Sequence, residues 1–220
     1  VGSLAGDAIT TGTNNLVVGN SALTNDLLGS GSTTVGTQAM VNQVMNSAYS
    51  LNTAVGFQSL YYNVTGQGNT TVGYRAGFGS VTGASTSGLT VIGNGAGQNI
   101  TTGTNNTNVG ASSGNGTTTG ANNTTVGHRA GLTNSTGSQN AFFGADSGGL
   151  VTTGTLNTFL GSDAGYYVTT GSKNVIAGKY NGNQGGLDIR TSSNNLVLSD
   201  GDGDPYIHMS NLHHMQRRAF

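Results

Sequence analysis

The chain has 220 residues and a formal net charge of −1, and only 7% of its residues are charged, against roughly 25% in ordinary globular domains. Near-neutrality leaves no electrostatic footprint for nucleic acid or an anionic membrane surface. No run of about 18 apolar residues supplies a transmembrane helix, and with no cysteine the redox compartment is not legible.

Taken in chain order, the elements repeat. A glycine closing a short β-branched run recurs at Gly2, Gly19, Gly36, Gly56, Gly73, Gly93, Gly110, Gly127, Gly144, Gly161 and Gly178, in steps of 17, 17, 20, 17, 20 and then 17 five times. Glycine is 39 of 220 residues, a composition that suits a disordered linker, but linkers keep no register. A short fixed period means one supersecondary unit stacked on copies of itself. Such a chain makes a rod or a surface more readily than a pocket.

With the anchor glycine as position zero, position −1 holds Val18, Val35, Val55, Val72, Ile92, Val109, Val126, Phe143 and Leu160. Position −3 is usually threonine, from Thr33 to Thr158, and position +3 is always Ala or Ser. Residues −1 and −3 share a face of a strand. The expected interior is therefore the −1 column against the small +3 column. Position −2 faces the other way and is partly apolar, as at Val17, Val91, Phe142 and Ile176. Position +10 is glycine in nearly every repeat, with Asn46 as the exception, and is read as a left-handed turn. Each repeat is expected to hold two short extended segments and two glycine turns. The predicted fold is all-β: a parallel β-solenoid or β-roll of about 17-residue coils with rungs about 4.8 Å apart. Residues 1–178 form the repeat solenoid, and 179–220 a transition segment containing a β-hairpin.

The two longer steps, Gly36 to Gly56 and Gly73 to Gly93, each carry three extra residues. Insertions in a solenoid belong on its outside. Tyr49 and the stretch from Gly79 to Gly88 are therefore expected to bulge outward. Tyr61, Tyr62, Tyr74 and Phe78 lie nearby, and with Tyr49 they form the candidate recognition surface for carbohydrate or protein. Packing between coils is the commoner fate of such side chains.

Other constellations are weaker. Asp200, Asp202 and Asp204 alternate like calcium ligands, but position twelve of that loop is Asn211 rather than glutamate. Asp-Gly between Leu196–Leu198 and Tyr206–Ile207 predicts a hairpin turn instead. His208, His213 and His214 are the candidates for an axial metal, and a solvated tail has the same sequence. No metal or other cofactor is assigned. The Thr column at +9 suggests an ice-binding array, broken at Leu28 and Met45. Sequons such as Asn69-Thr70-Thr71 and Asn122-Asn123-Thr124 fall where the repeat needs a turn, and asparagine columns suit hydrogen-bonded ladders. Asp146 and Asp163, one repeat apart, are too close for glycosidase geometry. No nucleophile–base spacing recurs, so the chain is not expected to be an enzyme.

The units G-H-R-A-G-L-T-N-S-T-G-S-Q-N-A-F-F (Gly127 to Phe143) and G-S-D-A-G-Y-Y-V-T-T-G-S-K-N-V-I-A (Gly161 to Ala177) resemble the tandem repeats of bacteriophage tail fibre proteins. The likeness covers residues 1 to about 178. The core N-T-x-V-G-x-x-A is also similar to the head repeat of trimeric autotransporter adhesins, a parallel β-roll. Asn194 to His208 resembles the segment that succeeds the repeats in phage fibres, ahead of a tip or a cleavable folding chaperone. Both resemblances imply an elongated homotrimer displayed outside the virion or cell and used for attachment. The strands give the trimer a physical motive, because a strand apolar on both faces wants cover on both sides. The chain opens inside a repeat and is expected to be a piece of a longer protein. It carries neither a chaperone nor a membrane-anchor β-barrel, which favours the virion tail fibre over the bacterial surface. The implied partners are two further copies of the chain, other tail or fibre proteins, and a host surface receptor, for which a glycan is one candidate. A monomeric ice-binding-like solenoid is a further alternative.

Overall fold

Three residues at a time, the β-branched runs pair with their counterparts one repeat away. The computed structural model describes residues 2–45, 49–79 and 85–210. Its strands are β1 (Leu16–Val18), β2 (Thr33–Val35), β3 (Thr53–Val55), β4 (Thr70–Val72), β5 (Thr90–Ile92), β6 (Thr107–Val109), β7 (Thr124–Val126), β8 (Ala141–Phe143), β9 (Thr158–Leu160), β10 (Val175–Ala177), β11 (Asn183–Gln184), β12 (Leu187–Asp188), β13 (Leu196–Ser199) and β14 (Pro205–Met209). No helix occurs among the described residues. β1 to β10 line up in sequence order as one parallel sheet, and each strand begins opposite the start of the next. The chain is a parallel β-solenoid. Across both insertions the register resumes, with Val35 opposite Val55 and Val72 opposite Ile92. The Tyr49 side of the first insertion is strongly exposed. Residues 46–48 and 80–84 lie outside the described residues; of the remaining stretch expected to bulge, Gly79 and Thr86 are buried and Gly88 is exposed, so its flanks pack into the coil instead of standing outward.

Only one strand forms per coil, not two. The rest of the coil is turns, tied to the next coil by backbone bonds such as Thr101 N–H to Thr118 O and Thr118 N–H to Ser135 O, both 2.9 Å. These turns repeat a set of left-handed residues, for example Asp146 (φ 57), Gly148 (φ 61) and Leu156 (φ 60) in one coil. The anchor adopts a conformation open only to glycine: Gly144 has φ 134, and a Cβ there would run into the carbonyl of Gly161. The +10 glycine serves a different purpose from the one its sequence suggests. Gly154 is not left-handed; a Cβ on it would strike the carbonyl oxygen of Gly171 in the next coil. Close approach, not handedness, excludes a side chain.

The interior belongs to the −2 column, so the sequence expectation for the inner face is inverted. Thr34, Ala54, Val91, Phe142, Phe159 and Ile176 are fully buried, whereas Ile92, Phe143 and Leu160 at −1 are exposed. Alternation across a three-residue strand puts the middle residue in and its neighbours out. The +3 column does line the interior, as at Ala39, Ala76, Ala96 and Ala164. Facing the −2 residue is position +4, and the two are matched in volume. Met40 and Leu60 sit in the coils that carry Thr34 and Ala54. Gly148 and Gly165 sit in those that carry Phe142 and Phe159; a Cβ on Gly148 would come within 2.7 Å of the Phe142 ring. Phe142 and Phe159 stack at 5.1 Å along the axis. Between the apolar stretches lie polar rungs: Ser59 and Thr71 hydroxyls meet at 2.7 Å, and Ser113 and Thr125 at 2.6 Å.

One side chain per coil satisfies buried backbone. From Asn106 through Asn123, Asn140, Asn157 and Asn174, each Asn at −4 donates Nδ2–H to a carbonyl of the following coil at 2.8–2.9 Å. Its Oδ1 accepts the backbone N–H of the next Asn at 2.9–3.0 Å. The ladder ends at Asn195, whose Oδ1 meets His208 Nε2 at 3.0 Å. An amide oxygen only accepts, so the imidazole donates there.

The parallel ladder runs past residue 178. β13 adds to β10 in parallel, and β14 folds back on β13 antiparallel. Between them, Tyr180 is fully buried and donates its hydroxyl to Leu187 O at 2.7 Å, pinning the β11–β12 hairpin over the end of the core.

Asn140→Ala is expected to cost about 2–5 kcal/mol in denaturant unfolding, because it leaves the Gly154 carbonyl and the Asn157 amide buried and unpaired. Gln139→Gly, one residue earlier on the exposed side at φ 60, should stay within about 1 kcal/mol of the parent. Phe142→Ala should cost about 3–5 kcal/mol by opening a cavity in the stacked aromatic core.

Candidate functional site

Two surfaces stand out: the outward sheet face and an aromatic cluster beside the insertions. The sheet face presents −3 and −1 of every rung. Threonines from Thr33 to Thr124 stand opposite one another in unbroken register across six strands. Beside them runs an apolar column whose exposure reaches 40% at Ile92, 41% at Phe143 and 44% at Leu160. A continuous apolar stripe along a rod is an uncovered surface of the kind that marks an interface.

The aromatic cluster brings together three of the five residues expected from sequence. Tyr61 and Phe78 occupy +5 of successive coils and stack at 5.3 Å with planes 19° apart. Tyr62 meets both rings edge-on, at 4.8 Å and 5.0 Å. The Arg75 guanidinium lies 4.0 Å over the Phe78 ring. Tyr74 belongs to a second pair, stacked on Phe57 at 5.7 Å with both rings exposed. Among the described residues no ring contact joins Tyr49 to either group; it stands alone at 66% exposure. Sequence reasoning missed Phe57 and Arg75. Phe57 shares the +1 column with Tyr74, which was the available signal, and Arg75 lies within three residues of Phe78.

The acidic loop is a closed turn. Asp200 Oδ1 accepts the backbone N–H groups of Asp202, Gly203 and Asp204 at 3.0, 2.8 and 3.0 Å. Desolvation pushes the Asp200 carboxyl up, but these three amide bonds and the Tyr206 hydroxyl outweigh it and hold it below the ordinary carboxylate range. Asp202 and Asp204 are exposed. His208 is engaged with Asn195, and His213 and His214 lie outside the described residues. Among the described residues no three His, Cys, Asp or Glu side chains gather as metal ligands. Asp146 pairs with Arg129 at 3.1 Å rather than facing solvent alone. Asn69 of the first sequon is buried in the ladder and Asn122 of the second is exposed. Met45, at +9, is buried and interrupts the threonine column there.

No protein-family model matches the chain, and neither a curated protein nor a solved structure matches it.

Burial pushes the Tyr180 hydroxyl up to about 12, with the Asp188 carboxylate adding to the rise and a backbone bond at Gln184 opposing it. A tyrosine in the unfolded chain loses its proton near pH 10. Between about pH 10 and 12 the unfolded state therefore binds fewer protons than the folded one, and stability falls as pH rises. Below that window the contribution is fully present. Tyr180→Phe should be less stable than the parent at pH 8, and the gap in unfolding midpoint should close as pH approaches 12.

Proposed function

We propose that the chain is a shaft segment of a bacteriophage tail fibre, assembled as a homotrimer outside the cell, where it holds a host-recognition tip away from the virion and contributes to attachment. The observation that carries this is the half-exposed apolar −1 column, running rung after rung along a chain with 7% charged residues. Two further copies about a common axis would cover that column in each protomer with the same surface, which is the economical solution for a repeating face. The repeat units at Gly127 and Gly161, with their likeness to tail fibre repeats, favour the virion. The head of a trimeric bacterial surface adhesin is the alternative with the same geometry. The role is mechanical and adhesive, not catalytic.

Light scattering of the purified chain should give three times 22.0 kDa. The double variant Val126→Asp/Phe143→Asp places six carboxylates at the proposed axis of a trimer. It should sediment as a monomer that keeps the β-sheet circular dichroism of the parent. A parent that is monomeric at every concentration, or a double variant that still forms trimers, overturns the assembly. Separating fibre from adhesin takes the neighbouring genes: virion structural genes support the first, a β-barrel anchor gene the second.

A further inference from the structure

Between Ile100 and Ala130 no apolar side chain is buried. The apolar interior stops on one side with Leu89, Val91, Ala96 and Ile100, and resumes on the other with Ala130, Phe142 and Phe159. The inward positions of the coil between them hold Asn108, Ser113 and Thr117, and the next strand adds Thr125. These polar groups bond to one another. Ser113 donates its hydroxyl to Thr125 O at 2.8 Å, and the two hydroxyl oxygens lie 2.6 Å apart. Thr125 Oγ1 donates to Asn108 Oδ1 at 2.7 Å. Asn108 Nδ2 is left buried without an acceptor.

The backbone is continuous through this stretch. β6 pairs with β7 in register. Asn106 donates to Gly120 O at 2.8 Å and accepts the Asn123 N–H at 2.9 Å. What is missing is apolar contact from one coil to the next. In a stacked repeat the interface between adjacent units decides whether they unfold together. A hydrogen bond that water can replace adds little to that interface, and an unpartnered buried amide subtracts from it. The Ser59–Thr71 rung carries the same hydroxyl pair at 2.7 Å, but there Leu60 and Ala76 stay buried beside it and neither hydroxyl lacks a partner.

We propose that the stretch from Asn108 to Thr125 is a joint dividing the rod into two separately unfolding segments, one ending at Ile100 and the other beginning at Ala130. Under load one segment opens while the other holds, so a local failure does not run the length of the rod. The joint is a property of the single chain and does not depend on the fibre reading.

The test is native-state hydrogen exchange of the full chain in low guanidinium. It is read at bonded amides on either side, Thr90 and Gly93 against Thr158 and Gly161. The second pair should be protected at least about tenfold more than the first, with a separate dependence on denaturant. Phe142→Ala should lower protection at Thr158 and Gly161 by more than about tenfold and leave Thr90 and Gly93 within about twofold of the parent. Asn108→Val/Thr125→Val removes the bonded pair together and supplies the side chain that Val91 provides in the same column. In that background Phe142→Ala should lower protection at all four amides. One shared protection factor in the parent, loss at all four amides in Phe142→Ala alone, or a double variant whose segments still open separately overturns the joint. If the double variant does not fold, the comparison of the parent with Phe142→Ala still decides the matter.

Discussion

A coil this narrow has almost no room for water, so the peptide groups at its corner need a partner from within the chain. The asparagine at −4 provides it. One primary amide donates to a carbonyl and accepts from an amide in the coil beyond, so from Asn106 to Asn174 each rung is satisfied by the rung before it. In most coils 14 residues separate the Asn from the glycine carbonyl it serves, as from Asn140 to Gly154, and the 17-residue period keeps that spacing. Where the coil is longer the ladder takes another carbonyl: Asn69 reaches Thr86 O across the second insertion and Asn174 reaches Ser192 O, while the strands return to register after both insertions.

Given the ladder, the other columns are set by exclusion. Corners that must stack at one-rung spacing bring carbonyls against Cα atoms, and glycine is retained where a Cβ would collide with the coil above. Left-handed backbone is imposed even on residues that resist it, such as Leu60 and Leu156. Backbone of that kind persists when its surroundings over-determine it. Core side chains then adapt locally. Where Phe142 and Phe159 fill the coil from the strand, position +4 is glycine; where the strand offers Ala54, Leu60 reaches in from the other side. Each coil reaches a filled interior by its own route, which is why no single core position looks uniform.

That variability explains which features were legible in the amino-acid sequence and which were hidden. The period, the parallel stacking and the β13–β14 hairpin were legible, because turn glycines, β-branched triplets and Asp-Gly are local signals. The inner face was not. A uniform column of Val and Ile reads as core, yet Val126 and its equivalents are uniform because they repeat one outward surface. The real core column runs through Thr34, Ala54, Asn108, Phe142 and Ile176, and looks mixed because each residue is fitted to a different partner. The aromatic cluster was half legible. Tyr61, Tyr62 and Phe78 are close in sequence, but that Phe57 and Tyr74 form a separate stacked pair can be seen only once coils are laid one on another.

A stack of in-register parallel strands is close kin to a cross-β fibril, and its open end invites growth. Here one end is finished differently. β14 runs against the direction of the parallel strands of its sheet, begins with Pro205, and meets β13 across a register break at Leu198 and Ser199. His208 takes the last amide oxygen of the ladder that another coil would need. A stray copy arriving at this end finds a reversed strand and an occupied acceptor in place of its own template. The chain can therefore be made of a geometry prone to aggregation and still refuse in-register growth across β14.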